Sequence, residues 1–137
     1  MADDEQAAAG FAWSGEVALR WRDLDAFGHL YHGEYLVLLD EARMAMFEVV
    51  LQGARDFVVA RLELDYRAQV VVDDGPLVAD LLVERVGRTS VTVRETLSTR
   101  AGRVAVDSRC VVVLWDLAAG ASRKVTDGER RALTGAR

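Results

Sequence analysis

The chain has 137 residues, enough for one domain that buries about two-thirds of the surface its unfolded form exposes. Its 51% hydrophobic and 28% charged residues exclude a disordered or collagen-like polymer, and a single cysteine, Cys110, excludes disulfide frameworks and cysteine-rich zinc sites. The net charge of −5 excludes a broad nucleic-acid surface, although residues 11–137 carry only −2 once Asp3, Asp4 and Glu5 are set aside, which leaves room for a local arginine cluster. No run approaches the ~18 uncharged apolar residues of a membrane span, and MADDEQ lacks the basic region of a signal peptide, so a cytoplasmic protein is expected.

Residues 1 to about 14 are small, polar or acidic without periodicity and read as a flexible tail, with one folded domain over 15–137. EVALRWR places Val17, Leu19 and Trp21 on one face, which predicts a half-buried strand beginning near Glu16. The loop RDLDAFGHLYHG follows and holds both histidines, His29 and His32, together with Asp23 and Asp25. From Glu34 to about Leu51, Tyr35, Leu39, Ala42, Met46, Val49 and Val50 recur at helical spacing. Val37, Leu38, Met44 and Phe47 widen that stripe, so the helix is expected to be covered on most sides.

Four strands are predicted next, over 57–68, 77–86, 89–99 and 103–117, joined by VDDGP, Gly87-Arg88 and Ala101-Gly102. The last turns apolar on both faces, as at a sheet centre or a subunit contact. Thr126-Asp-Gly-Glu129 is a capping box for a short helix through Leu133. One strand, an apolar helix and a meander of strands make an α+β fold, an antiparallel sheet curling around the helix that needs its face.

Within the loop, an aspartate near a glycine most simply caps a turn through local hydrogen bonds. A metal site is the other local reading, since Asp25, His29 and His32 supply oxygen and nitrogen ligands at helical-type spacing. Gly28 and the turn chemistry oppose the helical backbone that would align them, so no metal is expected.

The motif D-L-D-A-F-G-H-L-Y-H-G-E-Y (23–35), followed by D-E-A-R (40–43), resembles the hotdog-fold acyl-CoA thioesterases of the 4-hydroxybenzoyl-CoA thioesterase family. The likeness runs over residues 16–133, with LELDYRA and GRTSVTV as weaker matches. It implies a hotdog fold, an antiparallel sheet wrapped around one long central helix, and hydrolysis of an acyl thioester of coenzyme A or an acyl carrier protein without a cofactor. In that family the second aspartate of the motif is the catalytic carboxylate, which falls on Asp25, as nucleophile or as general base. The backbone donor for the oxyanion falls on His32, whose side chain also stands beside the aspartate in some relatives, while His29 reads as structural. General physics supports such a donor, because helix N-termini carry unpaired N–H groups and partial positive charge. Gly28 lets the chain turn sharply into that helix.

Asp23 reads as a structural partner of Arg22 or Arg43, and Glu41 with Arg43 as a paired helix face or a lining of the site. Arg88, Thr89 and Ser90 are either a hairpin with an exposed arginine or, as the resemblance implies, a contact for the pantetheine or nucleotide of coenzyme A. Arg123, Lys124, Arg130 and Arg131 form a basic cluster that reads as a solvated face. Phe27, Tyr31, Phe57 and Val58 are expected to line the acyl pocket. Apolar runs suited to sheet edges, and the resemblance, imply a homodimer or homotetramer with sites shared between copies. The alternative from another class is a hotdog module that binds acyl-CoA without turning it over.

Overall fold

The computed structural model describes residues 10–53 and 55–135. Strands β1 (Ala12–Val17), β2 (Phe57–Tyr66), β3 (Leu77–Val86), β4 (Ser90–Ser98) and β5 (Val104–Asp116) form one curled antiparallel sheet in the order β1-β3-β4-β5-β2, and a two-residue strand, β6 (Ala121–Ser122), pairs with β5. Helix α1 (Glu34–Val50) packs against the sheet, and the short helix α2 (Asp127–Thr134) is the second α-helix among the described residues. Neither helix is long and apolar enough to cross a membrane.

Alternation decides which side of each strand meets α1. In β4, Val91, Val93, Glu95 and Leu97 point inward while Thr92, Arg94 and Thr96 point out, and β3 repeats the pattern with Leu77, Ala79, Leu81 and Val83. Leu38, Leu39, Ala42, Met46 and Phe47 of α1 close the core from the other side. The interior is not wholly apolar. Arg43, 2% exposed, donates from Nε and Nη2 to the two oxygens of Glu95 (2.5 and 2.8 Å), and Ser108 Oγ–H donates to Glu95 Oε1 (2.5 Å). Burial alone would push Arg43 down, but Glu95 reverses that and holds it above its ordinary value. Beside this pair lies Cys110, whose thiol burial pushes up to about 12.

Three expectations need correction. The first strand covers Ala12–Val17 rather than Glu16–Arg22, because its partner β3 begins at Leu77, opposite Val17, and offers nothing further to pair with. Residues 12–14 of the expected tail therefore belong to the sheet, and Phe11 N–H donates to Leu133 O (2.9 Å); residues 1–9 lie outside the described residues. Third, α1 is covered on one side only. Leu36, Val37, Met44 and Val49 remain exposed because the sheet reaches just the Leu38–Leu39–Ala42–Met46 face.

The capping box of α2 forms as the sequence predicts, with Glu129 N–H donating to Thr126 Oγ1 (3.1 Å) and Thr126 N–H to Glu129 Oε1 (2.9 Å). The basic cluster around it divides: Arg123 pairs with Glu129 (2.8 Å) and Arg130 donates to the carbonyls of Val86 and Gly87 (3.1 and 2.9 Å), while Lys124 and Arg131 stand exposed, as a solvated face would have them. That pairing with Arg123 holds the Glu129 carboxyl below its usual range.

Candidate active site

The loop between β1 and α1 is organised by its two aspartates. Asp23 is buried, and its Oδ2 accepts from both the backbone N–H and the Nε–H of Arg20 (3.0 and 3.1 Å). Its partner is thus Arg20, neither Arg22 nor Arg43, since Arg43 is committed to Glu95. Two residues on, Asp25 Oδ1 accepts the N–H groups of Phe27 (2.8 Å) and His29 (3.1 Å), while Asp25 N–H donates to His29 O (2.7 Å). Gly28 sits at φ +82° at the tip, a conformation for which glycine is suited. Oδ2 of Asp25 takes part in no hydrogen bond among the described residues.

The loop is then pinned from below and turned into the helix. Leu30 N–H donates to Val70 O (2.7 Å), His29 bridges to Val71, and Tyr66 Oη–H donates to His32 O (2.7 Å). Glu34 N–H closes on Tyr31 O (2.9 Å), and α1 has no side-chain N-cap. Among the described residues nothing accepts the N–H of His32 or Gly33, so the start of α1 presents free donors with the positive end of the helix dipole behind them.

A cleft of about 330 Å³ brings Asp25, His29 and His32 together with Tyr35, Tyr66 and Gln69. Tyr35 is buried and meets Tyr66 edge to face (5.3 Å between centroids); desolvation, then the neighbouring Tyr66 and Asp74, push its phenol up to about 12. Tyr31 stands outside the cleft, its ring tilted against that of His32 (4.3 Å). The described residues contain no group of three or more histidine, cysteine or acidic side chains placed to hold a metal ion.

Several expected lining residues lie elsewhere. Phe27 is 84% exposed at the turn tip, and Glu41 is exposed on the outer side of α1, 3.9 Å from Arg20. Phe57 packs on Phe47 (5.1 Å) and Val58 faces solvent, both at the far end of β2 from Tyr66. Arg88, Thr89 and Ser90 share that far end, since Ser90 pairs with Val113 and Val113 with Val58. At the strand rise this separates them from the cleft by about 30 Å. The turn itself is clamped by Gly87 N–H to Ser90 O (2.7 Å) and Val125 N–H to Arg88 O (2.9 Å). A larger hollow, about 450 Å³, lies among Asp80, Arg94, Thr96 and Asp107 and does not include Asp25.

Tyr35, Tyr66 and Gln69 were not singled out in the sequence as site residues. Tyr35 carried a signal in the helical stripe, as core. Tyr66 reaches the cleft through the long-range pairing of β2, and Gln69 through the segment that follows that strand, which no local pattern encodes.

Comparison with solved structures gives the same fold repeatedly. A thioesterase from Thermus thermophilus, complexed with coenzyme A and Zn, is 24% identical with a TM-score of 0.79 over 90% of this chain and 92% of that one. A chain from Pseudomonas aeruginosa proposed to be a thioesterase is 28% identical, with a TM-score of 0.74 over 87% and 95%. The 4-hydroxybenzoyl-CoA thioesterase of Pseudomonas sp. strain CBS-3 is 15% identical, with a TM-score of 0.77 over 88% and 98%. A search of functionally curated proteins gave no match. The sequence model of the thioesterase superfamily matches residues 27–106, from the Asp25 turn tip through α1 and the sheet into β5, more than half of the chain, and the chain therefore belongs to that superfamily of thioester hydrolases.

Proposed function

We propose that this enzyme hydrolyses a coenzyme A thioester, with Asp25 as its catalytic carboxylate and the start of α1 as its oxyanion site. The observation that carries the reading is the division of labour at Asp25: Oδ1 is held by two backbone N–H groups and Oδ2 by none, and Asp25 lines one cleft with His32 at the start of the helix. A thioester carbonyl set between them would have its developing negative charge met by the N–H groups of His32 and Gly33. Oδ2 then either adds to the carbonyl carbon, expelling the thiolate and leaving a mixed anhydride for water to cleave, or takes a proton from a water that adds instead. The His32 imidazole, beside the same cleft, is a positioning or proton-handling group in either route. Coenzyme A as carrier is supported by the ligand of the Thermus thermophilus structure and the substrate of the Pseudomonas enzyme.

Thiol release from short, long and aromatic acyl-CoAs, by wild type and Asp25→Asn side by side, tests this reading. Turnover of at least one ester, with a loss of about a hundredfold or more in the variant, is expected for a lost acid–base group or nucleophile. Binding of CoA esters by both proteins without turnover would establish the alternative, a binding module in which Asp25 only caps its turn.

The reading extends to assembly. Strand β2 is one of the two sheet edges, ten residues long against six in β1, with Val58 and Val59 exposed 40% and 45%. Edges of this kind are normally covered. Antiparallel pairing of β2 with its counterpart in a second copy would carry the Gly87–Ser90 turn of that copy to the cleft end, so the coenzyme A contact assigned to Arg88, Thr89 and Ser90 belongs to a site shared between two copies. A dimer, or a tetramer built from dimers, is the functional unit in this reading, with the hotdog arrangement wrapping each sheet around its α1.

A further inference from the structure

The N–H groups of His32 and Gly33 belong to two successive peptide units, and each unit is held through its carbonyl. Tyr31 O, on the unit that carries the His32 N–H, accepts Glu34 N–H (2.9 Å) at the entry to α1. His32 O, on the unit that carries the Gly33 N–H, is held differently. In a regular α-helix that carbonyl takes the N–H four residues on, yet Leu36 N–H goes to Gly33 O (3.2 Å). The donor to His32 O comes instead from across the fold, where the Tyr66 hydroxyl at the end of β2 reaches it at 2.7 Å. Tyr66 is itself well fixed. Its backbone pairs with Val106 of β5, and its ring meets edge to face the ring of Tyr35, which is buried in the first turn of α1.

Resting on the thioesterase reading above, we infer that Tyr66 is a positioning residue for the reaction: its hydroxyl holds the plane of the His32–Gly33 peptide, keeping the Gly33 N–H aimed at the thioester oxygen. The peptide is planar and trans, so fixing its C=O fixes the N–H on the opposite side. A carbonyl that accepts a hydrogen bond also polarises its own N–H, which strengthens the donor. Such a donor works by being in place before charge develops on the oxygen. Tyr66 acts through the peptide and touches none of the reacting atoms. Its effect therefore falls mainly on the transition state, where the oxygen carries charge, and little on binding of the uncharged ester. The bond lies within one chain, so it is made whether the rest of the site comes from one copy or two.

Tyr66→Phe in the full chain keeps the ring against Tyr35 and removes the hydroxyl alone. Water can reach the carbonyl it leaves, because the bond is exposed, so the variant is expected to fold and to melt close to the wild type. On the acyl-CoA that the wild type cleaves fastest among short, long and aromatic esters, kcat is expected to fall about tenfold while KM changes less than about twofold. A spectroscopic readout accompanies the kinetics. The same ester, labelled with ¹³C at its carbonyl, is bound to Asp25→Asn and to Asp25→Asn/Tyr66→Phe, and its C=O stretch is measured by difference infrared spectroscopy. The N–H donors lower that stretch, and loss of the hydroxyl should return it towards higher frequency. An unchanged kcat, a loss carried by KM alone, or an unchanged stretch would overturn the inference. A wild type that cleaves none of the esters overturns the hydrolase reading instead, and the stretch of the ester bound most tightly then decides the role of Tyr66 by itself. If no ester binds, both claims fall together.

Discussion

Two backbone N–H groups end on one oxygen of Asp25, and an asparagine there keeps an acceptor oxygen in the same place while removing the charge. Alanine removes both. Asp25→Asn should therefore melt close to the wild type, whereas Asp25→Ala should lose about 1–3 kcal/mol, the scale of two backbone hydrogen bonds to one side chain. Urea titration of the three proteins checks this, and equal stability of all three would mean the turn holds without its cap. The contrast also makes Asp25→Asn the sound variant for kinetics, since its activity is read on an intact loop. That Asp25, Gly28 and His32 share one turn was legible because their relation is local, set within that turn and the start of one helix. The partner of Asp23 was not. Arg20, Arg22 and Arg43 are equivalent on paper, and only the 3₁₀ turn at Trp21–Asp23 with the burial of Arg43 chooses Arg20.

The 3.6-residue period announced α1, and its bounds, Glu34–Val50, follow the sequence to within a residue. Its orientation on the sheet is a different matter, because apolar residues run around more of the helix than the sheet covers, and a helix so apolar has several comparable ways to lie down. The Arg43–Glu95–Ser108 group ties it to β4 and β5 in one of them. Such a buried pair adds little net stability, since taking both charges out of water costs about what their attraction returns, but half of it is worse than none. Arg43→Met alone is expected to destabilise by about 3–5 kcal/mol by leaving Glu95 without its counter-charge. The triple variant Arg43→Met/Glu95→Leu/Ser108→Ala should recover most of that loss. A triple variant no more stable than the single one would show the network to be a net source of stability rather than a device for orientation. The pattern Glu-Ala-Arg marked Arg43 in the sequence, yet Glu95, 52 residues away, became its partner only through the pairing of the strands.

At the scale of the molecule, antiparallel strands joined by short turns were legible, because each hairpin is a local event, while the ends of the sheet were not. Strand β1 closes on β3 across the whole of α1 and β2, and β2 skips past its neighbours in the chain to pair with β5 at the opposite edge. That crossover puts the cleft at one end of β2 and the Gly87–Ser90 turn at the other, so a single copy cannot offer both to one substrate. The shared-site proposal turns this separation into a test that uses two disabled proteins. Asp25→Asn lacks the carboxylate, and Arg88→Ala lacks the turn cation; each should form dimers with little activity. In a mixed dimer, one of the two sites takes Asp25 from the Arg88→Ala copy and Arg88 from the Asp25→Asn copy and is intact, while the other site lacks both. Unfolding and refolding an equal mixture would then recover about a quarter of wild-type activity, since half the dimers are mixed and each has one working site. A site built within one chain gains nothing from mixing, because every copy carries its own defect with it. Full activity of Arg88→Ala on its own would remove the turn from the site altogether.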